Sequence, residues 1–250
     1  MKKGSFDGIA NKFDQNIYGT SKGKIRQLLL EHYLHNEIES TQPCKVLDAG
    51  GGTGMMAEVF ARAGHSVDIM DVSQEALDIA KKRLAPYKNT QFFCQELSSV
   101  NKQYDLILCH AVLEWLENPM QAIEHLAQQL LPGGLLSLSF FNKDAMLFNN
   151  AIYGNFDYIE KGMKVRNVVR LNPHNPQSPS EVLEFIRSLK DVNLEFSAGI
   201  RCFHDYMRDV SMQNTHFDSI LALEKSHGAQ APFKYLGKYF YIKVRRLTAS

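Results

Sequence analysis

The sequence is poor in cysteine and has no long apolar run, and both absences limit what the protein can be. Its 250 residues include four cysteines, none of them in a C-x-x-C pair. That spacing argues against a zinc site and against a disulfide framework. No apolar run reaches the roughly 18 uncharged residues of a spanning helix, and the first residues lack the apolar core of a signal peptide. We therefore expect a cytoplasmic protein with reduced cysteines, no metal site and no membrane contact.

The sequence also lacks a strong net charge, although its charges are unevenly distributed. Hydrophobic residues make up 44% of the chain and charged residues 22%, which is typical of a folded domain and excludes disorder or a coiled coil. The formal net charge is +1. Lysine and arginine nevertheless predominate in the first 30 residues, at 161–170 and at 225–246. A nearly neutral total can therefore hide a basic face suited to a polyanion.

Apolar runs alternate with amphipathic segments along much of the chain. This alternation predicts a parallel sheet with helices on both faces, preceded by a helix near Ser21 to Leu34. The segment Leu131-Pro132-Gly133-Gly134 predicts a break before the fifth strand, and the polar and aromatic residues 142–177 predict an insertion after it. The last two strands are expected to form a hairpin at the sheet edge. The predicted strands cover 45–48, 66–71, 90–94, 104–109, 135–140, 193–200 and 239–245.

A glycine-rich turn, Asp48-x-Gly50-x-Gly52-x-Gly54, follows the first predicted strand. Glycines there allow a sharp turn and let a ligand lie against the backbone. The dinucleotide fingerprint requires a third small residue at position 55, which is methionine. The turn instead resembles the D/E-x-G-x-G-x-G motif of class I S-adenosylmethionine (SAM) methyltransferases. Asp71 does not choose between the two classes, because both place an acid for ribose hydroxyls at the end of the second strand.

The fourth predicted strand ends at His110, and the only tryptophan, Trp115, follows it. Side chains at the carboxyl ends of parallel strands line the ligand crevice, so His110 should face cofactor or substrate. We expect Trp115 to serve in packing. The aspartate that often contacts adenine after the third strand of these methyltransferases is absent, and Leu97 or Ser98 is expected to replace it.

Five further segments carry a more specific resemblance. They are Phe6-Asp7-x-Ile9-Ala10, Asn16-Ile17-Tyr18-Gly19-Thr20-x-Lys22-Gly23-x-x-Arg26, His110-Ala111-Val112-Leu113-Glu114-Trp115, Gly154-Asn155-Phe156-Asp157-Tyr158 and Phe203-His204-Asp205-Tyr206. Together they resemble the bacterial tRNA 5-carboxymethoxyuridine methyltransferases over nearly the whole chain. The resemblance implies one domain over 1–250, an α/β fold with a doubly wound, mostly parallel seven-stranded sheet. It further implies an N-terminal lid and helix at 1–40 and a substrate-binding insertion at 142–177.

The same resemblance implies methylation of the 5-carboxymethoxyuridine carboxylate in a tRNA anticodon stem-loop, with SAM as cofactor. A carboxylate is ionised at neutral pH, so it needs no general base, and an arginine can orient it through a bidentate pair. Arg201 is our first choice for that arginine, while Arg26 could bind either the SAM carboxylate, which we prefer, or the substrate. The expected catalytic residues are Arg201 and His110. The expected cofactor-binding residues are Arg26, Asp48, Gly50, Gly51, Gly52, Gly54, Asp71, Leu97, Ser98 and His110. The expected substrate-binding residues are Tyr18, Asn155, Phe156, Tyr158, Arg166, Arg201 and Tyr206.

Three alternatives stay open at this point. A small-molecule methyltransferase would share the cofactor motif and have no affinity for tRNA. An NAD-dependent oxidoreductase is disfavoured by Met55, which stands where the dinucleotide fingerprint needs a small residue. A catalytically silent SAM-fold module that only binds RNA is disfavoured by the intact glycine turn together with Asp71.

Overall fold

The computed structural model describes residues 19–163 and 174–248, and the strands within them form a single seven-stranded sheet. The strand order is β3-β2-β1-β4-β5-β7-β6. Only β7 runs antiparallel to its neighbours, which confirms the predicted mostly parallel sheet with a late hairpin. The strands are β1 (Lys45–Ala49), β2 (Ser66–Asp71), β3 (Thr90–Cys94), β4 (Tyr104–His110), β5 (Leu130–Phe141), β6 (Val192–Ile200) and β7 (Tyr239–Arg246).

Helices connect these strands and precede the first of them. The first helix begins at Thr20, whose hydroxyl accepts a hydrogen bond from the Gly23 N–H at 3.3 Å, as expected of an N-cap. No helix in the two described ranges is long and apolar enough to cross a membrane. The helices are α1 (Ser21–Tyr33), α2 (His35–Ile38), α3 (Met55–Arg62), α4 (Gln74–Leu84), α5 (Pro119–Gln128), α6 (Lys143–Ile152), α7 (Phe156–Glu160), α8 (Pro179–Ser188), α9 (Met212–Thr215) and α10 (Phe217–His227).

Each face of the sheet has its own apolar core, because side chains alternate along a strand. In β4, Leu106 and Leu108 pack with α1, α3, α4 and α10, whereas Ile107 and Cys109 pack with α5 and α8. Burial of one such aliphatic side chain contributes about 1.5–3 kcal/mol. Because β6 is parallel to β5, the carboxyl ends of β1, β4, β5 and β6 lie at the same end of the sheet as the start of β7. We call this the carboxyl end of the sheet.

The predicted break before strand five is wrong, because β5 begins at Leu130 instead of residue 135. The register against β4 shifts between Tyr104 and Leu106, and Gly133 has a φ of 79°. Two consecutive glycines absorb this irregularity inside the ladder, so the strand continues through it. The described parts of the segment 142–177, residues 142–163 and 174–177, lie outside the seven-stranded sheet and are joined by a bridge between Asn142 and Gln177.

Candidate functional site

The glycine turn after β1 presents one open backbone position next to Asp71. The Asp71 carboxylate accepts hydrogen bonds from the Gly52 N–H at 2.9 Å and from the Ser73 N–H at 2.8 Å. Gly52 has a φ of +54°, and no atom lies within 4 Å of the place where a Cβ would stand. A ligand can therefore approach the backbone at Gly52 beside the Asp71 carboxylate.

The other glycines of the turn face protein atoms. A Cβ on Gly50 would overlap the Val112 side chain, and one on Gly51 would press on the Asp48 carboxyl. A Cβ on Gly54 would meet α4 side chains at 3.0–3.1 Å. Close packing against neighbouring side chains thus explains why these three positions are glycine. Gly52 is the position of the turn that is open to a ligand.

Asp48 holds the turn against the helix that follows it. Its carboxylate accepts the Ala57 N–H at 3.2 Å, near the beginning of α3. Burial raises the pKa of Asp48 to about 7, with the Asp71 charge adding to the shift and Arg26 opposing it. The side chain is almost fully buried, so its contact with a cofactor would be indirect, through the shape of the turn.

A cavity of about 740 Å³ opens between the ends of β2 and β3 and the beginning of α5. Leu97 and Ser98, the residues predicted to lie near adenine, line this cavity, and their role there stays a prediction. Trp115, which the sequence predicts to serve in packing, packs edge-on against His174 and also lines this cavity. The helical pattern of the sequence could not reveal this, because Trp115 sits in a short 3-10 turn after β4. Further lining residues are Gly50, Met70, Asp71, Val72, Gln95, Glu96, Ala111, Val112, Leu116, Glu117, Asn118, Gln121, Ala122 and His125.

His110 lies at the end of β4, buried on the face that carries α1. One ring nitrogen, Nε2, is 2.9 Å from the Ser137 hydroxyl, which is in turn 2.9 Å from the Tyr241 hydroxyl. The other nitrogen, Nδ1, is buried without a hydrogen-bond partner among the described atoms. Burial lowers the pKa of His110 to about 3, and the nearby Arg26 charge contributes. His110 is therefore a neutral imidazole at physiological pH and holds a fixed orientation.

Arg26 and Arg201 come together against one aromatic ring. Their guanidinium carbons lie 5.1 Å and 5.6 Å from the centroid of Tyr239, the first residue of β7. Guanidinium groups at this distance are attracted by the ring face. The Arg26 charge also acts on Asp48 and His110, which places it over the ends of β1 and β4. The fold thus joins two arginines that are 175 residues apart in the sequence.

Arg201 is buried and partly paired. Its guanidinium donates to the Asp205 carboxylate at 2.6 Å, while its Nε has no hydrogen-bond partner in the described part of the chain. Its φ is +64°, which is uncommon for a residue other than glycine. Although burial opposes ionisation, bonds from His204 and Arg201 hold the pKa of Asp205 well below its usual range. Arg201 is therefore held in place by Asp205, while its buried Nε donor is not satisfied by the described part of the protein.

Glu224 holds the loop that carries Arg201, and the sequence analysis missed it. This fully buried side chain on α10 accepts hydrogen bonds from the backbone N–H groups of Cys202, Phe203 and His204 at 2.8–3.0 Å. A carboxylate with three amide donors is a strong anchor for a turn. Its sequence signal was weak, because one acid in an amphipathic helix is usually solvated.

Of the three described residues that the sequence predicts for substrate binding within the insertion, Asn155 and Phe156 are exposed. Phe156 is 61% exposed, and the Asn155 amide donates to Asn150 at 3.0 Å. Tyr158 is partly buried in α7. Tyr206 instead donates to the Leu236 carbonyl at 2.9 Å and packs edge-on against Phe148. Tyr18 and Arg166 lie outside the described residues.

Glu114 is a second residue that the sequence analysis did not single out. It follows β4 and is buried, and its Oε2 has no hydrogen-bond partner within the described ranges. Burial raises the pKa of Glu114 to about 7. No cluster of three or more His, Cys, Asp or Glu side chains among the described residues could hold a metal ion.

Comparison with known proteins places this arrangement in a family. A family model described as a methyltransferase domain matches residues 23–174. The tRNA 5-carboxymethoxyuridine methyltransferase of Escherichia coli strain K12 is 37% identical over 255 residues, which cover 98% of this chain and 97% of that protein. The ubiquinone biosynthesis O-methyltransferase of Coxiella burnetii is 31% identical over 124 residues, or 47% of this chain and 53% of its own.

Solved structures show the same fold. The magnesium protoporphyrin IX methyltransferase from Synechocystis, solved with S-adenosylhomocysteine (SAH), superposes with a TM-score of 0.62 at 18% identity. The match covers 96% of this chain and 95% of that one. The chain therefore belongs to the methyltransferase-domain family and is related along nearly its whole length to the tRNA 5-carboxymethoxyuridine methyltransferase of Escherichia coli.

Proposed function

We propose that this protein transfers a methyl group from SAM to the carboxylate of 5-carboxymethoxyuridine at the tRNA wobble position, giving the methyl ester. The observation that carries the choice of substrate is the 37% identity over 98% of the chain. That similarity extends beyond residues 23–174, which the methyltransferase-domain model matches. The proposal includes residues 1–40 as an N-terminal lid and helix and 142–177 as the insertion that contacts an anticodon stem-loop.

The residues around the glycine turn fit SAM. The open position at Gly52 accommodates a ligand against the backbone, and Asp71 can accept ribose hydroxyls there. Leu97 and Ser98 line a cavity large enough for adenine, and Arg26 is assigned to the cofactor carboxylate. When bound, SAM supplies an electrophilic methyl group on a sulfonium. Asp48, Gly50, Gly51 and Gly54 shape the turn that holds it.

The chemistry needs positioning more than proton transfer. An acceptor carboxylate with a pKa near 4 is already ionised, so no side chain has to remove a proton. Arg201, held by Asp205, orients that carboxylate, while the neutral His110 keeps the wall beside it rigid. In-line positioning of this kind can supply up to about 7–11 kcal/mol in favourable cases.

Aromatic and basic side chains near the carboxyl end of the sheet would bind the RNA substrate. Phe156 and Tyr158 offer surfaces on which an extruded base can stack, and Asn155 offers an amide for hydrogen bonds. We also assign Tyr18, Arg166 and Tyr206 to binding of the RNA substrate. The alternative of a small-molecule acceptor predicts the same cofactor site without RNA affinity.

The test is methyl transfer to synthetic anticodon stem-loops. Purified protein and SAM are incubated with two stem-loops that differ only at the wobble base, which is 5-carboxymethoxyuridine or unmodified uridine. Mass spectrometry should show one added methyl group on the first RNA, removable by mild alkali as an ester would be. A methylated uridine control, or no transfer to either RNA, would contradict the proposal.

The cofactor is tested separately by thermal unfolding with SAM and with NAD. A ligand present at 100 times its dissociation constant stabilises the native state by about 2.7 kcal/mol. SAM should raise the unfolding temperature, and NAD should leave it unchanged. The reverse result would favour the oxidoreductase, while stabilisation by SAM without any transfer would favour the silent RNA-binding module.

A further inference from the structure

An aromatic pair lies at the carboxyl end of the sheet near Arg201, with cationic side chains against it. Phe141 ends β5 and Tyr239 begins β7, and the two are partners in the antiparallel ladder. Their rings meet edge-on, with centroids 5.8 Å apart. Arg26 and Arg201 lie against Tyr239, while the Lys238 ammonium lies 4.7 Å from the centroid of Phe141. Three cationic side chains therefore lie against two rings that meet edge-on.

The charges of this group are not balanced within the described residues. Asp205 pairs with Arg201, whereas neither Arg26 nor Lys238 has a carboxylate within 4.0 Å in the described ranges. Glu224 is occupied by three backbone amides. With Arg201 compensated by Asp205 and Arg26 assigned to the cofactor carboxylate, Lys238 is the cation left without an anion.

Lys238 is also held where it cannot be an ordinary solvated lysine. The Lys238 side chain is half-buried. The Lys238 backbone N–H donates to the Arg201 carbonyl at 3.3 Å, which connects this residue to the loop after β6 that carries Arg201. Burial lowers the pKa of Lys238; the Asp205 charge opposes the shift, and Arg201 and Lys22 add to it. A partly desolvated ammonium is costly unless an anion compensates it. An anionic ligand would remove that cost.

We propose that Lys238 is a specificity-determining residue whose ammonium binds the acceptor carboxylate of the substrate, beside Arg201. The proposal rests on the function proposed above and adds a residue to it. Arg201 supplies a planar donor group that fixes orientation, and Lys238 supplies a charge that matches the ionised acid. A substrate without the acid leaves Lys238 uncompensated, so the pair selects for 5-carboxymethoxyuridine over uridine.

The test measures equilibrium affinity in the presence of SAH, which prevents turnover. Wild type, Lys238→Gln, Lys238→Arg and Lys102→Gln are each titrated with the 5-carboxymethoxyuridine stem-loop and with its unmodified counterpart at one salt concentration. Lys102 is the matched control, since its ammonium also lies 4.7 Å from the centroid of a phenylalanine ring, that of Phe93. Lys102 precedes the start of β4, at the end of the sheet opposite to Lys238. Unfolding temperature and SAH affinity verify that each variant is folded.

Lys238→Gln should weaken binding of the modified RNA by about tenfold or more and leave binding of the unmodified RNA nearly unchanged. Lys238→Arg should retain most of the discrimination, and Lys102→Gln should retain all of it. Equal weakening for both RNAs would indicate a backbone phosphate contact and overturn the proposal, as would unchanged discrimination in Lys238→Gln. A wild-type protein that does not distinguish the two RNAs would instead overturn the proposed function itself.

Discussion

The buried titratable side chains at the strand ends differ in what their pKa values allow. His110 has a pKa lowered by burial to about 3, so it is neutral across the physiological range. Asp48 and Glu114 have pKa values raised by burial to about 7, and Asp48 is occupied by the Ala57 amide. A carboxyl with a pKa near 7 could remove a proton from an acceptor that carries one, but an ionised carboxylate acceptor has no proton to remove.

The rate of methyl transfer should therefore change little between about pH 6 and 9. The acceptor carboxylate is fully ionised over this range, and His110 does not titrate within it. His110→Ala should lower the rate through lost positioning while keeping the shape of the profile. Initial rates with saturating SAM test this, and a limb near pH 6.5 that disappears in His110→Ala would show a histidine base. A limb near pH 7 that disappears in Glu114→Gln would show a glutamate base instead.

Glu114→Gln should stabilise the protein in a pH-dependent way. The folded pKa of about 7 lies above the unfolded value of 4.5, so the Glu114 contribution is fully present below pH 4.5 and is lost as pH rises through 7. The variant should therefore gain roughly 2–3 kcal/mol relative to wild type between pH 4.5 and 8. Urea unfolding at both pH values measures the difference. A pH-independent difference would show that Glu114 has an ordinary pKa.

Gly52→Val should remove SAM binding at a modest cost in stability. The new side chain would occupy the open space beside Asp71. Gly64→Val is the matched control, since Gly64 also has a positive φ and open space but lies in the loop after α3, remote from the turn. Both variants should lose about 1–2 kcal/mol of stability because of the left-handed backbone. Calorimetry should show lost SAM affinity for Gly52→Val alone, and equal affinity in both variants would remove Gly52 from the site.

Elements position the site through contacts between distant parts of the sequence. The loop after β6 is fixed by Glu224 of α10, and His204 in that loop lies 3.2 Å from the Ser21 hydroxyl at the start of α1. The helix that carries Arg26 and the loop that carries Arg201 are thereby joined. We therefore expect a change at Glu224 to disturb the loop of Arg201 directly and the helix of Arg26 only indirectly.

Glu224→Gln should loosen this loop. The amide group replaces one acceptor oxygen with a donor that faces backbone N–H groups, at a cost of about 1–3 kcal/mol in stability. We expect kcat/KM for the stem-loop to fall more than SAM affinity, since Glu224 binds the loop of Arg201 directly and reaches the helix of Arg26 only through the His204–Ser21 contact. Kinetics and calorimetry on the same preparation test this. A loss of SAM affinity as large as the loss of kcat/KM would show a general folding defect.

Local sequence patterns predicted most of the elements and the glycine turn. Apolar runs and the spacing at Asp48–Gly54 are local signals, and the fold and family they indicated are confirmed. The irregularity at Gly133 inside β5 was misread, because two glycines look the same in a break and in a bulge. Tyr239 and Glu224 were missed, since their partners lie far away in the sequence and only the fold brings them together.

The glycine turn, the cavity and the arginine pair all lie at the carboxyl end of the sheet. The glycine turn and the cavity beside Leu97 lie where β1, β2 and β3 end, and the arginine pair lies where β6 ends and β7 begins. Because β7 inserts antiparallel between β5 and β6, the residues that we propose to bind the cofactor and the acceptor lie at the same end of the sheet. Within the basic stretch 225–246, Lys238 lies at this end of the sheet, whereas Lys243 and Arg245 lie further along β7 and pair with Glu37 and Glu195.

The most direct test of the proposed function is mass spectrometry of tRNA nucleosides from cells with and without the gene. We expect the methyl ester of 5-carboxymethoxyuridine to disappear in the deletion strain while the free acid accumulates in the same tRNAs. Reintroducing the wild-type gene should restore the ester, and the Gly52→Val variant should not. An unchanged ester level in the deletion strain, or loss of a different methylated nucleoside, would contradict the assignment of this protein to the wobble carboxylate.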